Sequence, residues 1–350
     1  MTVALRIDDC SGNATQVTAE EGDTVLDALL MEGIAFPYSC QSGNCGTCRC
    51  ELVSGDVLEL ERSEHALSEA DRMRGVILAC RTQLWSDTHV SRLSEDDFVV
   101  HPSRVLQCRL AAGERLAGGK WRVTLNILSG GPFDFSAGQY ADLEFAGVPG
   151  RPITCAMASG EGQDTLEFHV TSRRADVPGA PDFEAMEVGR AVTVSGPRGG
   201  AYLRTSHAAP IVLIVSAAGV ASAVSILSTL RHKGLRNEVH GYFVLNHAED
   251  AYGVDELGAA AAGNERVKLH VLNPSGHGAG QFPVRQLSPA LAMGADFADM
   301  TGIMAYIAGP TSLYEELAPV LRALGVRGRD ILCDVPVQGD AGAAVSREAA

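Results

Sequence analysis

The chain has 350 residues, 46% of them hydrophobic and 20% charged, with a formal net charge of -15 at pH 7. That is enough for two or three domains, each with its own core, and the 38 glycines and 15 prolines suit a globular protein rich in tight turns rather than a disordered one. No apolar run reaches the roughly 18 residues of a bilayer span, and the opening MTVALRIDDCSG lacks the regions of a signal peptide, so the expectation is a cytoplasmic protein that does not use a membrane.

Residues 1–100 hold 18 Asp and Glu against 7 Arg and no Lys. Such a surface argues against nucleic acid as a partner and for docking on a basic patch of another protein, although the same charge also serves solubility alone. In chain order, VALRI reads as an opening strand. Asp23 is placed to cap a helix over TVLDALLMEG, which Gly33 ends. The nine cysteines do not suggest a disulfide framework in a reducing compartment. Cys40, Cys45 and Cys48 give C-x4-C-x2-C, and Cys80 follows Cys48 after 31 residues; this is the plant-type 2Fe-2S spacing. Three thiolates on one loop and a fourth from elsewhere can surround two irons. The small residues between them (Ser39, Gly43, Asn44, Gly46, Thr47) let the loop turn tightly and aim backbone N–H groups at sulfur. Zinc is the competing metal, but zinc sites more often show two C-x2-C pairs and only one occurs here. Cys50 falls within a strand through RCELV, beyond the C-x4-C-x2-C spacing, and Cys10, Cys108, Cys155 and Cys333 stand alone, so these five are expected as ordinary thiols.

A break falls near His101–Arg104, after the acidic SEDDFVV. From there WRVTLNI, YADLEF, TLEFHV and AVTVSG are short period-two segments separated by glycine and proline, which predicts an antiparallel barrel to about residue 204. From about 206, PIVLIV, HGYFVL, KLHVL and MAYIAG alternate with helical stretches (VASAVSILSTLRHKG, the segment around DELGAAAA, TSLYEELAPVLRALG), which predicts a parallel sheet with crossover helices. The expected division is therefore 1–95, 101–204 and 206–338, with a small polar tail at 339–350.

The segments YSCQSGNCGTCRC, HPSRV, FDFSAGQYADLEF, RPITCAMAS, LEFHV, SGPRGGAYLR and AYIAGP through LGV carry a resemblance over nearly the whole chain to the reductase components of aromatic-ring-hydroxylating dioxygenases. The resemblance implies a β-grasp 2Fe-2S ferredoxin domain, an antiparallel β-barrel FAD domain and a parallel-sheet α/β domain for NADH. Electrons would pass from NADH through FAD to the cluster and on to an oxygenase component or an intermediary ferredoxin, with no side-chain acid or base required. Arg151, Pro152, Ile153 and Thr154 match the family's Arg-x-Tyr-Ser segment, the arginine pairing with the FAD pyrophosphate and the hydroxyl donating to flavin or phosphate. His169, Val170 and Thr171 would line the flavin, and Pro178, Gly179 and Ala180 take the place of a Pro-Gly-Gly turn near the pyrophosphate. In LIVSAAGVASAV, Ala218 and Gly219 fall on the nucleotide loop, and Gly309 and Pro310 lie near the nicotinamide. FVLNHAED has no Arg or Lys to take a 2'-phosphate, which favours NADH over NADPH. The chain departs from the family at Ile153 (tyrosine), Ala217 and Ala218 (glycine and threonine), Ala308 (cysteine) and Pro336 (an aromatic over the flavin). The departures motivate one rival to a dioxygenase reductase, an electron-carrying or regulatory module whose flavin site has decayed, and a second is that the third domain is only a structural or docking module. The reductase of a di-iron monooxygenase shares the same architecture and is a third.

Overall fold

The computed structural model describes residues 1–9, 13–38, 41–43, 46–62, 66–67, 69–73, 75–93, 99, 101–148, 152–161, 165–171, 182–245, 247–273 and 284–333. Of the residues singled out above, Cys10, Ser39, Cys40, Asn44, Cys45, Arg151, Pro178, Gly179, Ala180, Pro336 and the tail lie outside this set.

The first part contains β1 (Thr2–Asp8), β2 (Ala14–Glu20), α1 (Val25–Met31), β3 (Arg49–Ser54), β4 (Val57–Glu59), α2 (Glu69–Met73), β5 (Val76–Leu78), β6 (Thr82–Leu84) and β7 (Thr88–Arg92). Its main sheet runs β2-β1-β7-β3-β5, with β1 and β7 parallel, while β4 and β6 pair apart from it. Val3, Leu5 and Ile7 alternate inward along β1 and share one core with Val25, Leu26 and Leu29 of α1. The helix is capped one residue later than expected. Thr24 Oγ1 accepts from the Asp27 N–H at 3.1 Å, whereas the Asp23 carboxylate accepts from the Glu20 N–H at 2.9 Å and closes the turn after β2. Gly33 follows the helix with φ +71, the left-handed position that a glycine takes without strain.

The second part is β8 (Arg104–Arg115), β9 (Lys120–Ser129), β10 (Tyr140–Phe145), β11 (Ile153–Ala156), β12 (Thr165–Thr171) and β13 (Ala191–Arg198), ordered β11-β10-β13-β8-β9-β12 and antiparallel throughout. A bridge between Met157 and Phe168 brings the two outer strands together, so the sheet curls into the expected barrel. Leu106, Leu125, Leu143, Phe168 and Val194 fill its interior.

The third part is a parallel sheet in the order β17-β16-β15-β14-β18-β19. It is built from β14 (Ile211–Ser216), α3 (Val220–His232), β15 (Val239–Val244), α4 (Tyr252–Ala261), β16 (Val267–Leu272), β17 (Val284–Arg285), α5 (Pro289–Asp296), β18 (Met304–Ala308), α6 (Thr311–Ala323) and β19 (Ile331–Cys333). Every residue of β14 is buried, as expected of a central parallel strand covered on both faces. The two faces have separate cores, one with Leu213, Val215, Ile226 and Leu230, the other with Val212, Ile214, Leu317 and Leu321. The first core also takes in Ala137, Ala201 and Leu203 from the barrel side, so barrel and sheet share apolar packing. Among the described residues no helix is long and apolar enough to cross a membrane.

Candidate functional site

Three regions concern function. In the first, Cys48 lies just before β3 and Cys80 in the short turn Ala79–Arg81 after β5. The Ala79 N–H donates to the Cys48 carbonyl at 2.9 Å, which ties the two segments together, and the sulfurs stand 3.2 Å apart, both buried. This is too long for a disulfide, about 2.05 Å, and close to the roughly 3.7 Å edge between two thiolates on one tetrahedral metal with bonds near 2.3 Å. The loop before Cys48 is packed without room for side chains. At Gly46 (φ +72) a Cβ would lie 2.6 Å from the Ala66 carbonyl, and at Gly43 (φ +80) one would lie 2.8 Å from Arg81 Cγ. The buried Thr47 Oγ1 has no partner among the described residues, so a hydroxyl beside Cys48 is left for an acceptor such as sulfur. These features fit a 2Fe-2S centre, with Cys48 and Cys80 placed as two of the candidate ligands. Cys50 is fully buried on β3, and Cys108, Cys155 and Cys333 are buried in other parts of the chain.

The second region is the outer face of the barrel. Pro152 is exposed, and Ile153, at the start of β11, packs in part against the barrel core. Thr154 Oγ1 donates to Asp142 Oδ1 at 2.7 Å, and the other Asp142 oxygen holds Arg198 at 2.7 Å. Asp142 and Thr154 are paired across β10 and β11, so the register itself commits the hydroxyl proton to a carboxylate rather than leaving it free for a phosphate or a flavin. On β12, Val170 points into the core while Glu167, His169 and Thr171 point outward. Thr171 Oγ1 accepts from Lys120 Nζ at 2.7 Å.

His169 does not open to solvent. Its side chain is 2% exposed and lies edge-on to Tyr252 of α4, ring centroids 6.1 Å apart, with Glu256 at 3.7 Å and Glu167 at 3.9 Å. Neither ring nitrogen has a hydrogen-bond partner among the described residues. Burial, and then Arg122 and Lys120, pull its pKa down to about 4, so the ring is neutral at physiological pH. Arg122 beside it donates to both oxygens of Glu256 at 2.7 and 2.6 Å, lies 3.5 Å from Glu167 and also pairs with Glu114. Burial raises the Glu167 pKa, partly offset by Arg122. The barrel is thus joined to α4 by one guanidinium shared among three carboxylates.

The third region lies at the C-terminal end of the parallel sheet. From β14 the chain passes through β15, β16 and β17 on one side, then crosses to β18 and β19 on the other, so the boundary of β14 and β18 is the topological switch point where ligands bind in open α/β sheets. Gly219, Ala308, Gly309 and Pro310 meet there. A methyl at Gly219 would overlap the Ala308 carbonyl, and one at Gly309 would lie 2.7 Å from Ser216 Oγ, so the two loops touch only because both positions are glycine. Ala217 and Ala218 complete the turn into α3. Ser216 Oγ is buried without a partner among the described residues, and the Tyr252 hydroxyl donates to the Ala217 carbonyl at 2.7 Å. Reading the sequence did not single out Ser216, Tyr252, Lys120, Arg122 or Glu256. Ser216 had a signal, as the one polar residue closing an apolar strand; the other four are defined only by contacts between distant segments.

Residues 9–84, which include all four candidate ligands, match the family described as 2Fe-2S iron-sulfur cluster binding domain. The chain is 30% identical over 317 residues to the ferredoxin–NAD(P)+ reductase component of the naphthalene 1,2-dioxygenase/salicylate 5-hydroxylase systems of a Ralstonia species, covering 89% of this chain and 92% of that relative. It is 32% identical over 295 residues to the ferredoxin–NAD+ reductase component of the alkene monooxygenase system of Xanthobacter autotrophicus, covering 84% and 89%. Among solved structures, an Amycolatopsis cytochrome P450 reductase matches with a TM-score of 0.66 at 26% identity, covering 95% of this chain and 98% of that one. The ferredoxin reductase of carbazole 1,9a-dioxygenase shares the fold, with a TM-score of 0.60 at 21% identity over 96% and 99%.

Proposed function

We infer the function from the premise that this chain belongs to the family of ferredoxin–NAD(P)+ reductase components of multicomponent oxygenase systems. It is an oxidoreductase with a 2Fe-2S domain, and its role is to draw electrons from NADH and deliver them singly to a separate oxygenase component or to an intermediary ferredoxin. FAD supplies the step that neither nicotinamide nor cluster performs, taking two electrons as hydride and releasing them one at a time. The rest falls to the chain's own residues, which bind and orient. Cys40, Cys45, Cys48 and Cys80 hold the cluster. Arg151, Pro152, Ile153, the strand His169–Thr171 and the turn Pro178–Ala180 hold FAD. Ala218, Gly219, Gly309 and Pro310 hold the dinucleotide. The division at 1–95, 101–204 and 206–338 assigns one of these groups to each part.

The observation that carries the reading is the close approach of the β14 and β18 loops at the switch point, in the same chain as two cysteine sulfurs 3.2 Å apart. One end suits a dinucleotide and the other a metal cluster, with the barrel between them in the sequence. NADH is favoured over NADPH because residues 247–250, after β15, are His, Ala, Glu and Asp, with no cation to meet a 2'-phosphate. The relatives named above serve a dioxygenase and a monooxygenase alike, so the oxygenase class is left to reconstitution with each.

An anaerobic titration of the purified protein with NADH, reading flavin bleaching and cluster reduction together, tests the proposal. Loss of both signals is expected. A cluster reduced by dithionite but not by NADH would replace this reading with that of an electron carrier whose flavin site has decayed.

A further inference from the structure

We propose that Tyr252 is a positioning residue for hydride transfer, holding the dinucleotide turn in register with the outer face of the barrel. The proposal rests on the functional reading above and names a residue that it leaves unused. Tyr252 opens α4 and is 3% exposed. Its hydroxyl donates to the Ala217 carbonyl at 2.7 Å, on the first residue of the turn between β14 and α3. Burial, reinforced by Glu256 and Asp250, pushes the phenol far above its ordinary range, so the proton it donates stays in place.

The ring of the same side chain meets the barrel. His169 packs against it edge-on, and Lys120 Nζ lies over its face 5.9 Å from the centroid while donating to Thr171. His169 and Thr171 belong to the strand assigned to FAD, and Ala217 adjoins the residues assigned to NADH. One rigid side chain therefore touches both half-sites. On its other side the turn is confined by the contact between Gly219 and the Ala308 carbonyl. Ala217 and Ala218 bring no side-chain hydrogen bond of their own, and Tyr252 supplies one to the turn from outside.

Hydride transfer is sensitive to placement, since a misplacement of about 1 Å can cost on the order of a hundredfold in rate. Loss of one anchoring hydroxyl should cost part of that. In Tyr252→Phe, which keeps the ring, the NAD+ dissociation constant measured by calorimetry on the FAD-loaded protein is expected to rise about fivefold, and the limiting rate of flavin bleaching at saturating NADH to fall about tenfold. Reduction of the cluster by dithionite should be unchanged. A purely structural role for Tyr252 would lower the thermal midpoint and leave both the NAD+ constant and the limiting rate as they are, and that result overturns the proposal. Should Tyr252→Phe fail to accumulate as folded protein, Lys120→Met decides, because it removes the cation over the ring, one of its two barrel contacts, and leaves the turn tied. A limiting rate lowered about threefold or more sustains the proposal, and an unchanged one overturns it. A wild-type protein whose flavin NADH does not bleach defeats the functional reading itself, an outcome distinct from a variant that behaves like its parent.

Discussion

Acidification should loosen the joint between barrel and α4 through His169. The imidazole is buried with neither nitrogen hydrogen-bonded among the described residues, and its folded pKa lies near 4 against an ordinary 6.5. As pH falls, the unfolded chain takes up a proton near 6.5 while the folded chain refuses it until about 4, so folding loses stability across that window and keeps it above. Each pKa unit is worth about 1.4 kcal/mol, which makes the full loss from this one group roughly 3 kcal/mol. His169→Phe removes the titration and keeps a ring edge-on to Tyr252; with no polar atom left unpaired it should match or exceed the wild type by about 1 kcal/mol at pH 7.5. Urea unfolding followed by tryptophan fluorescence at pH 7.5, 6 and 5 gives the comparison, and Trp121, which faces Val170 across β9 and β12, reports from the barrel itself. His101, His240, His270 and Glu167 also have shifted pKa values, but they are present in both proteins, so the difference between the two curves isolates His169. Parallel pH curves for wild type and variant would refute the linkage.

Arg122→Met should cost about 2–4 kcal/mol at neutral pH, because it leaves Glu167 and Glu256 facing each other half-buried. The deficit should shrink as pH falls and Glu167, whose pKa burial raises, takes up a proton; the same urea series measures it. Gly219→Ala drives a methyl into the Ala308 carbonyl, so NAD+ binding by calorimetry should be abolished and stability should fall by about 1–3 kcal/mol. Cys80→Ser should remove the visible cluster absorbance and the bound iron, while Cys333→Ala, at a buried thiol in the third sheet, keeps both; iron analysis separates them.

What could be read ahead of the structure was local. The cysteine spacing depends on one loop and one distant thiol, and both of its described members, Cys48 and Cys80, come together. The sheets were legible because burial imposes a period of two on β12 and a continuous apolar run on β14. Smaller features went unread even where a signal existed. Ser288 followed by Pro289 is a helix start, with Ser288 Oγ accepting from the Leu291 N–H at 3.3 Å, yet α5 was not anticipated. The cap at Thr24 was assigned to Asp23 because either residue type can cap, and only the turn after β2 decides which is free to do so.

The joint between barrel and third sheet was invisible for a different reason. Arg122 is separated from Glu256 by 134 residues, and nothing near either announces the other. His169 stands in a strand that family resemblance assigns to the flavin, yet its side chain is turned to α4, so the role implied for position 169 and the role its imidazole plays are different properties of one residue. Backbone can serve a cofactor while the side chain serves the domain interface. The same division accounts for Thr154, where matching to a family motif expects a free hydroxyl and strand register gives that hydroxyl to Asp142. Motif matching places a residue along the chain, and the side chain's partner is set by whichever strand or helix lies opposite. Departures from a family pattern are therefore read together with the side chains that meet them from distant segments, as the Tyr252 hydroxyl meets the Ala217 carbonyl from α4 of the same sheet.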